Sequence, residues 1–184
     1  MTRRLTPEAV AARKEARGVL VEPGPVMDAA AGFLAARPRS VAETRRRLRH
    51  LGYPHELVET VVERLVEMGY LDDAGFARAW VESRDRARPR GESALRRELV
   101  LRGVPREVID EVLSVRTEEA EAEDPDRAAA AALLERRRVS LEREPDPVRR
   151  RQKAYALLAR NGFDPETCRE VSRKLGHDLE VGDG

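Results

Sequence analysis

The chain is poor in aromatic residues, which make up 4% of its 184 positions, and it carries a single cysteine, Cys168. One cysteine excludes an intramolecular disulfide and fits a reducing compartment. No apolar run reaches the roughly 20 residues that a membrane-spanning helix needs. The N-terminus has arginines but no apolar segment of a secretory signal, so a cytoplasmic protein without a membrane partner is expected. His50, His55 and His177 are the only histidines, and none stands at metal-ligand spacing from Cys168. Glycine-rich phosphate loops of the P-loop or dinucleotide type are missing. These absences argue against an enzyme and against any metal or cofactor. With so few aromatics, a core has to be built from Leu, Val and Ala, and it will be lean.

What is present is charge. Charged residues make up 38% of the chain, 35 basic against 34 acidic, beside 41% hydrophobic residues. That mixture suits helices with thin apolar stripes and solvated faces. Lys14, Lys153 and Lys174 are the only lysines, so the positive charge is almost all arginine. Arginine offers a planar, bidentate donor set suited to phosphate and carboxylate, although a GC-rich genome would also enrich it.

Residues 1–25 read as a mobile arm in which Thr6-Pro7 could cap and start a short helix. A first helix over about Val26 to Arg37 then carries Ala30, Phe33 and Leu34 on one face. Ser40-Val41-Ala42-Glu43 spells a capping box. The helix it opens turns Leu48 inward, and Gly52 stops it. Pro54 opens a third helix with Leu57, Val58, Val61, Val62 and Leu65 as its stripe. Gly69-Tyr70-Leu71-Asp72-Asp73 then forms a hinge. Gly69 suits the left-handed residue after a helix, Tyr70 and Leu71 can fold back onto the last turn, and Asp72 or Asp73 can cap the next helix. Phe76 and Trp80 share a face of that helix, which favours a core role over base stacking.

The pattern repeats. Leu48, Gly52, Val58 and Val61 align on Leu99, Gly103, Ile109 and Val112, and again on Leu158, Gly162, Cys168 and Val171. Helices over Asp73 to about Arg86 and Asp126 to about Leu141 precede the later copies. The expected fold is all-α, with three tandem three-helix repeats forming an extended, curved body. The expected boundaries are repeat 1 at 26–71, repeat 2 at 72–116, an acidic connector at 117–125, repeat 3 at 126–176 and a tail at 177–184.

Arg37-x-Arg39-Ser40, Leu48-x-x-x-Gly52-Tyr53 and Leu65-x-x-x-Gly69-Tyr70-Leu71-Asp72-Asp73-x-x-Phe76-Ala77 resemble the RecX family of recombinase regulators. Arg90-Gly91 with Arg97-Glu98-Leu99-x-x-x-Gly103 is similar to that family's second repeat. The resemblance covers roughly Val26 to Leu175 and is weakest in the third repeat. It implies three three-helix repeats, no catalysis and no cofactor. It also implies binding to the RecA filament on single-stranded DNA, with restraint of RecA ATPase, strand exchange and co-protease activity in DNA repair and the SOS response.

The residues themselves offer arginines as candidate contacts. Arg45, Arg46 and Arg49 lie on the second helix of repeat 1. Arg84, Arg86, Arg88 and Arg90 approach that of repeat 2, which carries Arg96 and Arg97. Arg149, Arg150, Arg151 and Lys153 occupy it in repeat 3. In register, these clusters would form one basic stripe for an anionic partner. The alternative is a set of solvated faces paired at i,i+4 with Glu43, Glu63, Glu82 and Glu98. The near-neutral total favours a protein–DNA filament over bare DNA, which would be bound weakly or through the filament by a monomer. Two rivals stand beside this reading: a helical DNA-binding protein acting without RecA, and a repeat scaffold for another protein. Asp72 and Asp73 fall where a cap is needed rather than at a paired-carboxylate site. Cys168 stands in an apolar register position, as a core residue would.

Overall fold

A computed structural model describes residues 6–118, 120 and 124–177. The rest of the arm, part of the acidic connector and the tail from 178 lie outside the described residues. Ten helices and no strand occur among those described. They are α1 (Pro7–Gly18), α2 (Gly24–Leu34), α3 (Val41–His50), α4 (His55–Glu67), α5 (Asp73–Ala87), α6 (Glu92–Leu101), α7 (Arg106–Glu118), α8 (Pro125–Glu142), α9 (Pro147–Arg160) and α10 (Pro165–His177). The fold is all-α, and α2–α4, α5–α7 and α8–α10 are its three three-helix repeats. None of these helices is long and apolar enough to cross a membrane. By compactness the chain divides into Met1–Phe76 with Arg102–Val104, and Ala77–Leu101 with Pro105–Gly184.

The first unit is built around Val26, Ala30, Leu48, Tyr53, Val58, Val61, Val62, Leu65 and Leu71, all buried. The apolar spacing of α4 puts four of these on one stripe, and burying a Val or Leu side chain stabilises by about 1.5–3 kcal/mol. The first helix of the repeat starts at Gly24, with Pro25 in its opening turn, two residues before the expected Val26. The capping box of α3 is formed: Ser40 Oγ accepts from the Glu43 amide at 3.0 Å, and a Glu43 oxygen accepts from the Ser40 amide at 3.4 Å. Tyr70 departs from its expected core position. It is 65% exposed, while Leu71 alone folds into the core at 2%. The turn at Gly69 draws the Tyr70 and Leu71 amides onto the Leu65 carbonyl, at 2.9 and 3.2 Å, and of the two side chains only that of Leu71 enters the core.

Within the second unit, the third repeat packs Ala129, Ala130, Leu133, Leu134, Leu141, Ala154, Leu158, Phe163, Cys168 and Val171 together. Arg116 at the end of α7 holds this unit together by charge. It donates to Asp85 at 3.0 Å and to Asp126 at 2.7 Å. Asp126 in turn accepts from the Glu92 amide at the start of α6, at 2.8 Å. Burial pushes the Asp126 carboxyl above its ordinary range, against the pull of that amide and of Arg116. Arg136 caps the C-terminus of α5 through the carbonyls of Arg86 and Ala87, both at 2.6 Å.

The corners between second and third helices share one construction. Gly52, Gly103 and Gly162 all have positive φ. The carbonyl just before each glycine accepts a hydrogen bond from an earlier segment. Leu51 accepts from Arg17 at 3.2 Å, Arg102 from Ser40 Oγ at 2.6 Å, and Asn161 from the Gly91 amide at 3.1 Å. The arm therefore contributes α1 to the first corner, where later corners take the previous repeat's second helix. That is the role of a terminal cap in a repeat protein.

Candidate partner interface

The side chains of the expected stripe do not form a row of free cations. Arg45 and Arg49 converge on Glu59, at 2.8 and 2.7 Å. His55 joins them at 3.4 Å. Burial raises the Glu59 carboxyl, but the Arg49 and Arg45 hydrogen bonds outweigh it and hold the group below its ordinary range. In repeat 2, Arg84 meets Glu98 at 2.6 Å and Arg90 meets it at 3.6 Å. Arg96 binds Glu92 at 2.9 Å and also Asp110. Arg86 stands 4.0 Å from Glu82, both well exposed. In repeat 3, Arg149 is 3.5 Å from Asp146, Lys153 pairs with Glu144, and Arg150 donates to the Glu144 carbonyl at 3.0 Å.

Four of the named residues keep an open guanidinium among the described residues: Arg46, Arg88, Arg97 and Arg151, all exposed. Arg46 and Arg97 occupy one register position, two residues before Leu48 and Leu99, so the same helix face presents a cation in repeats 1 and 2. The neutralising pairs run mostly between helices rather than at i,i+4. Arg45–Glu59 and Arg96–Asp110 are each separated by 14 residues. Beside Arg97, exposed Val100 and Leu101 line a cleft of about 530 Å³ with Arg96, Arg106 and Asp110. That apolar flank was not evident from the charge pattern.

The hinge carboxylates serve as local anchors. Asp72 accepts from the Ala74 amide at 2.9 Å and caps α5. Asp73 accepts from the Val41 amide at 2.9 Å and so ties the start of α5 to that of α3. Burial raises the Asp73 carboxyl. Phe76 is buried, whereas Trp80 is only half-buried: its Nε1 donates to Glu98 at 2.9 Å, and Arg84 lies 4.3 Å over its ring. Cys168 is fully buried, and burial pushes its thiol up, away from a reactive thiolate. Among the described residues no group of His, Cys, Asp and Glu gathers to hold a metal ion.

Two further sets of arginines lie outside the expected stripe. Arg39 lies 4.1 Å over the Phe33 ring, with Arg47 at 5.9 Å. Arg169 and Arg173 of α10 share a cleft with Arg151 and Tyr155 of α9. The repeat register could have found the second set, because it places Arg169 at the position of Glu59 and Asp110.

Comparison with known proteins gives a consistent picture. Residues 27–65, 72–113 and 124–171 match the family models described as the first, second and third three-helix domains of RecX. The Regulatory protein RecX of Prosthecochloris aestuarii is 34% identical over 149 residues, covering 81% of this chain and 92% of that protein. The Regulatory protein RecX of Mycobacterium avium is 37% identical over 149 residues, covering 80% of this chain and 83% of that one. The crystal structure of RecX from Lactobacillus salivarius superposes with a TM-score of 0.71 at 16% identity, over 85% of this chain and 97% of that chain. A second crystal structure, of a regulatory protein RecX, gives 0.69 at 20% identity over 93% and 79% of the two chains.

Proposed function

The chain belongs to the RecX family of regulatory proteins, and from that premise we propose that it is a cytoplasmic, non-enzymatic regulator of the RecA–single-stranded DNA filament. It restrains RecA ATPase, strand exchange and co-protease activity, and so tunes recombination, DNA repair and the SOS response. The observation that carries this reading is the pair Arg46 and Arg97. They are exposed, without ion partners among the described residues, and at one register position of successive repeats. Several modest contacts of this kind on one ligand add through effective concentration rather than through a single deep pocket. The neutralised arginines fit the same reading. A protein whose charges are mostly matched internally avoids tight capture by bare duplex and keeps its free cations for a shaped partner. Asp72 and Asp73 hold helix starts and Cys168 is buried, so these three residues are taken up by structural roles.

The test is RecA's single-strand-dependent ATPase with the full chain titrated in, at two salt concentrations. Inhibition well below one protein per RecA monomer, relieved by Arg46→Glu with Arg97→Glu, supports the reading. Unchanged ATPase and strand exchange at stoichiometric protein would sink it.

A further inference from the structure

In repeats 1 and 2 an ion pair closes the seam between second and third helices at one register position: Arg45 with Glu59 at 2.8 Å, and Arg96 with Asp110. The alignment of Leu48, Leu99 and Leu158 places Tyr155 where those arginines stand and Arg169 where the acids stand. The third seam thus has a ring in place of the cation and a cation in place of the carboxylate. It opens into a cleft of about 610 Å³ lined by Arg151, Gln152 and Tyr155 of α9 and by Arg169, Ser172 and Arg173 of α10. No carboxylate lines it among the described residues. Glu170, beside Arg169 in sequence, is engaged by Arg127 at 3.1 Å and Lys174 at 3.3 Å. Arg173 Nε donates to the Arg169 carbonyl at 3.3 Å, which steadies the side chain and leaves its terminal nitrogens open. The guanidiniums of Arg151 and Arg169 have no ion partner among the described residues.

Three guanidiniums without a counter-charge, a half-buried aromatic ring and an amide are the parts list of a single-strand binding groove: cations track phosphates while the ring stacks a base. We propose that the α9–α10 cleft is a seat for single-stranded polynucleotide, with phosphates on Arg151, Arg169 and Arg173 and a base on Tyr155. The seat works on bare strands and does not depend on RecA.

The test is fluorescence anisotropy of labelled oligo-dT and oligo-U with the full chain and no RecA, so its outcome is independent of the ATPase assay. Log affinity should fall with log salt with a slope of about −2, as three phosphate contacts require. Arg169→Gln with Arg173→Gln should make that slope shallower by about 1.4. Tyr155→Leu should weaken binding by about 5- to 150-fold without changing the slope. Tyr155→Arg with Arg169→Asp, which rebuilds the seam of the other repeats, should abolish binding while the helical circular-dichroism melt is kept. Binding of either strand with these variant effects supports the seat. An unchanged slope in the arginine variant, no effect of Tyr155→Leu, duplex DNA bound as tightly as single strands, or equal affinity for an acidic peptide would each overturn it.

Discussion

Two kinds of glycine turn sit in this chain and differ in what surrounds them. At the corner of repeat 3, Gly162 has φ of 86°, and a Cβ there would lie 2.5 Å from the Ala94 Cβ and 2.6 Å from the Ala94 amide nitrogen. At the hinge, Gly69 has φ of 73°, and a Cβ would meet nothing within 4 Å. Both positions demand the left-handed region, but only the corner also demands that the side chain be missing. A glycine can therefore mark a turn or mark a place where another segment is pressed against it. In the sequence the two look alike.

Five substitutions sharpen or break this contrast. Gly162→Ala combines backbone strain with overpacking against a backbone atom, and should destabilise by about 2–5 kcal/mol in denaturant unfolding. A cost no larger than that of Gly69→Ala would mean the corner is not tightly packed. Ser40→Ala comes next. It removes the cap of α3 and the bond to the Arg102 carbonyl at a second corner, and should cost about 1–3 kcal/mol.

The same corner predicts a pH dependence. Burial raises the Glu43 carboxyl, but the Arg37 hydrogen bond and charge, with the Ser40 amide and Arg102, bring it below its ordinary range. A depressed acid contributes stability that is present above its unfolded pKa and is lost as pH falls through its folded one. Glu43→Gln should therefore be destabilised near neutrality, by about 1–3 kcal/mol, with the gap to wild type closing between about pH 5 and pH 3. A gap that widened on acidification would refute the assignment. Gly69→Ala should cost only about 1–2 kcal/mol, the strain alone. Arg97→Ala, on the open face, should fall within about 0.5 kcal/mol of wild type in thermal unfolding. A large loss there would make it structural and remove it from the candidate interface.

Much of the fold was legible because helix ends need particular residues. Gly52, Gly69, Gly103 and Gly162 stand after helix ends, Ser40 and Asp164 stand before helix starts, and the apolar stripe of α4 has helical period. The register of Leu48, Leu99 and Leu158 identified the repeats, and all three are fully buried. The candidate interface was far less legible. Whether Arg45 or Arg96 is free depends on an acid on the next helix, brought near only after the corner is turned. Helix-surface spacing directs attention to i,i+4 partners and misses it. The contact that the arm makes was not legible for a similar reason. Nothing local in Lys14 or Arg17 announces the Gly52 corner, yet a Cβ on Gly52 would lie 2.3 Å from Lys14 Cγ. Tyr70 and Leu71 are adjacent and apolar, and only the geometry of the turn decides which one is buried.

The buried thiol of Cys168 has one more consequence. As the chain's only cysteine, held at 0% exposure with its acidity suppressed by burial, it can be alkylated only when the third repeat breathes. Its labelling rate is thus a stopwatch on that opening, readable by mass spectrometry with no cysteine engineered in. When closing outpaces reaction, the rate ratio to a free thiol gives the opening free energy directly. A ligand seated between α9 and α10 would slow the stopwatch, and a disturbance confined to the first repeat would leave it running at its old pace.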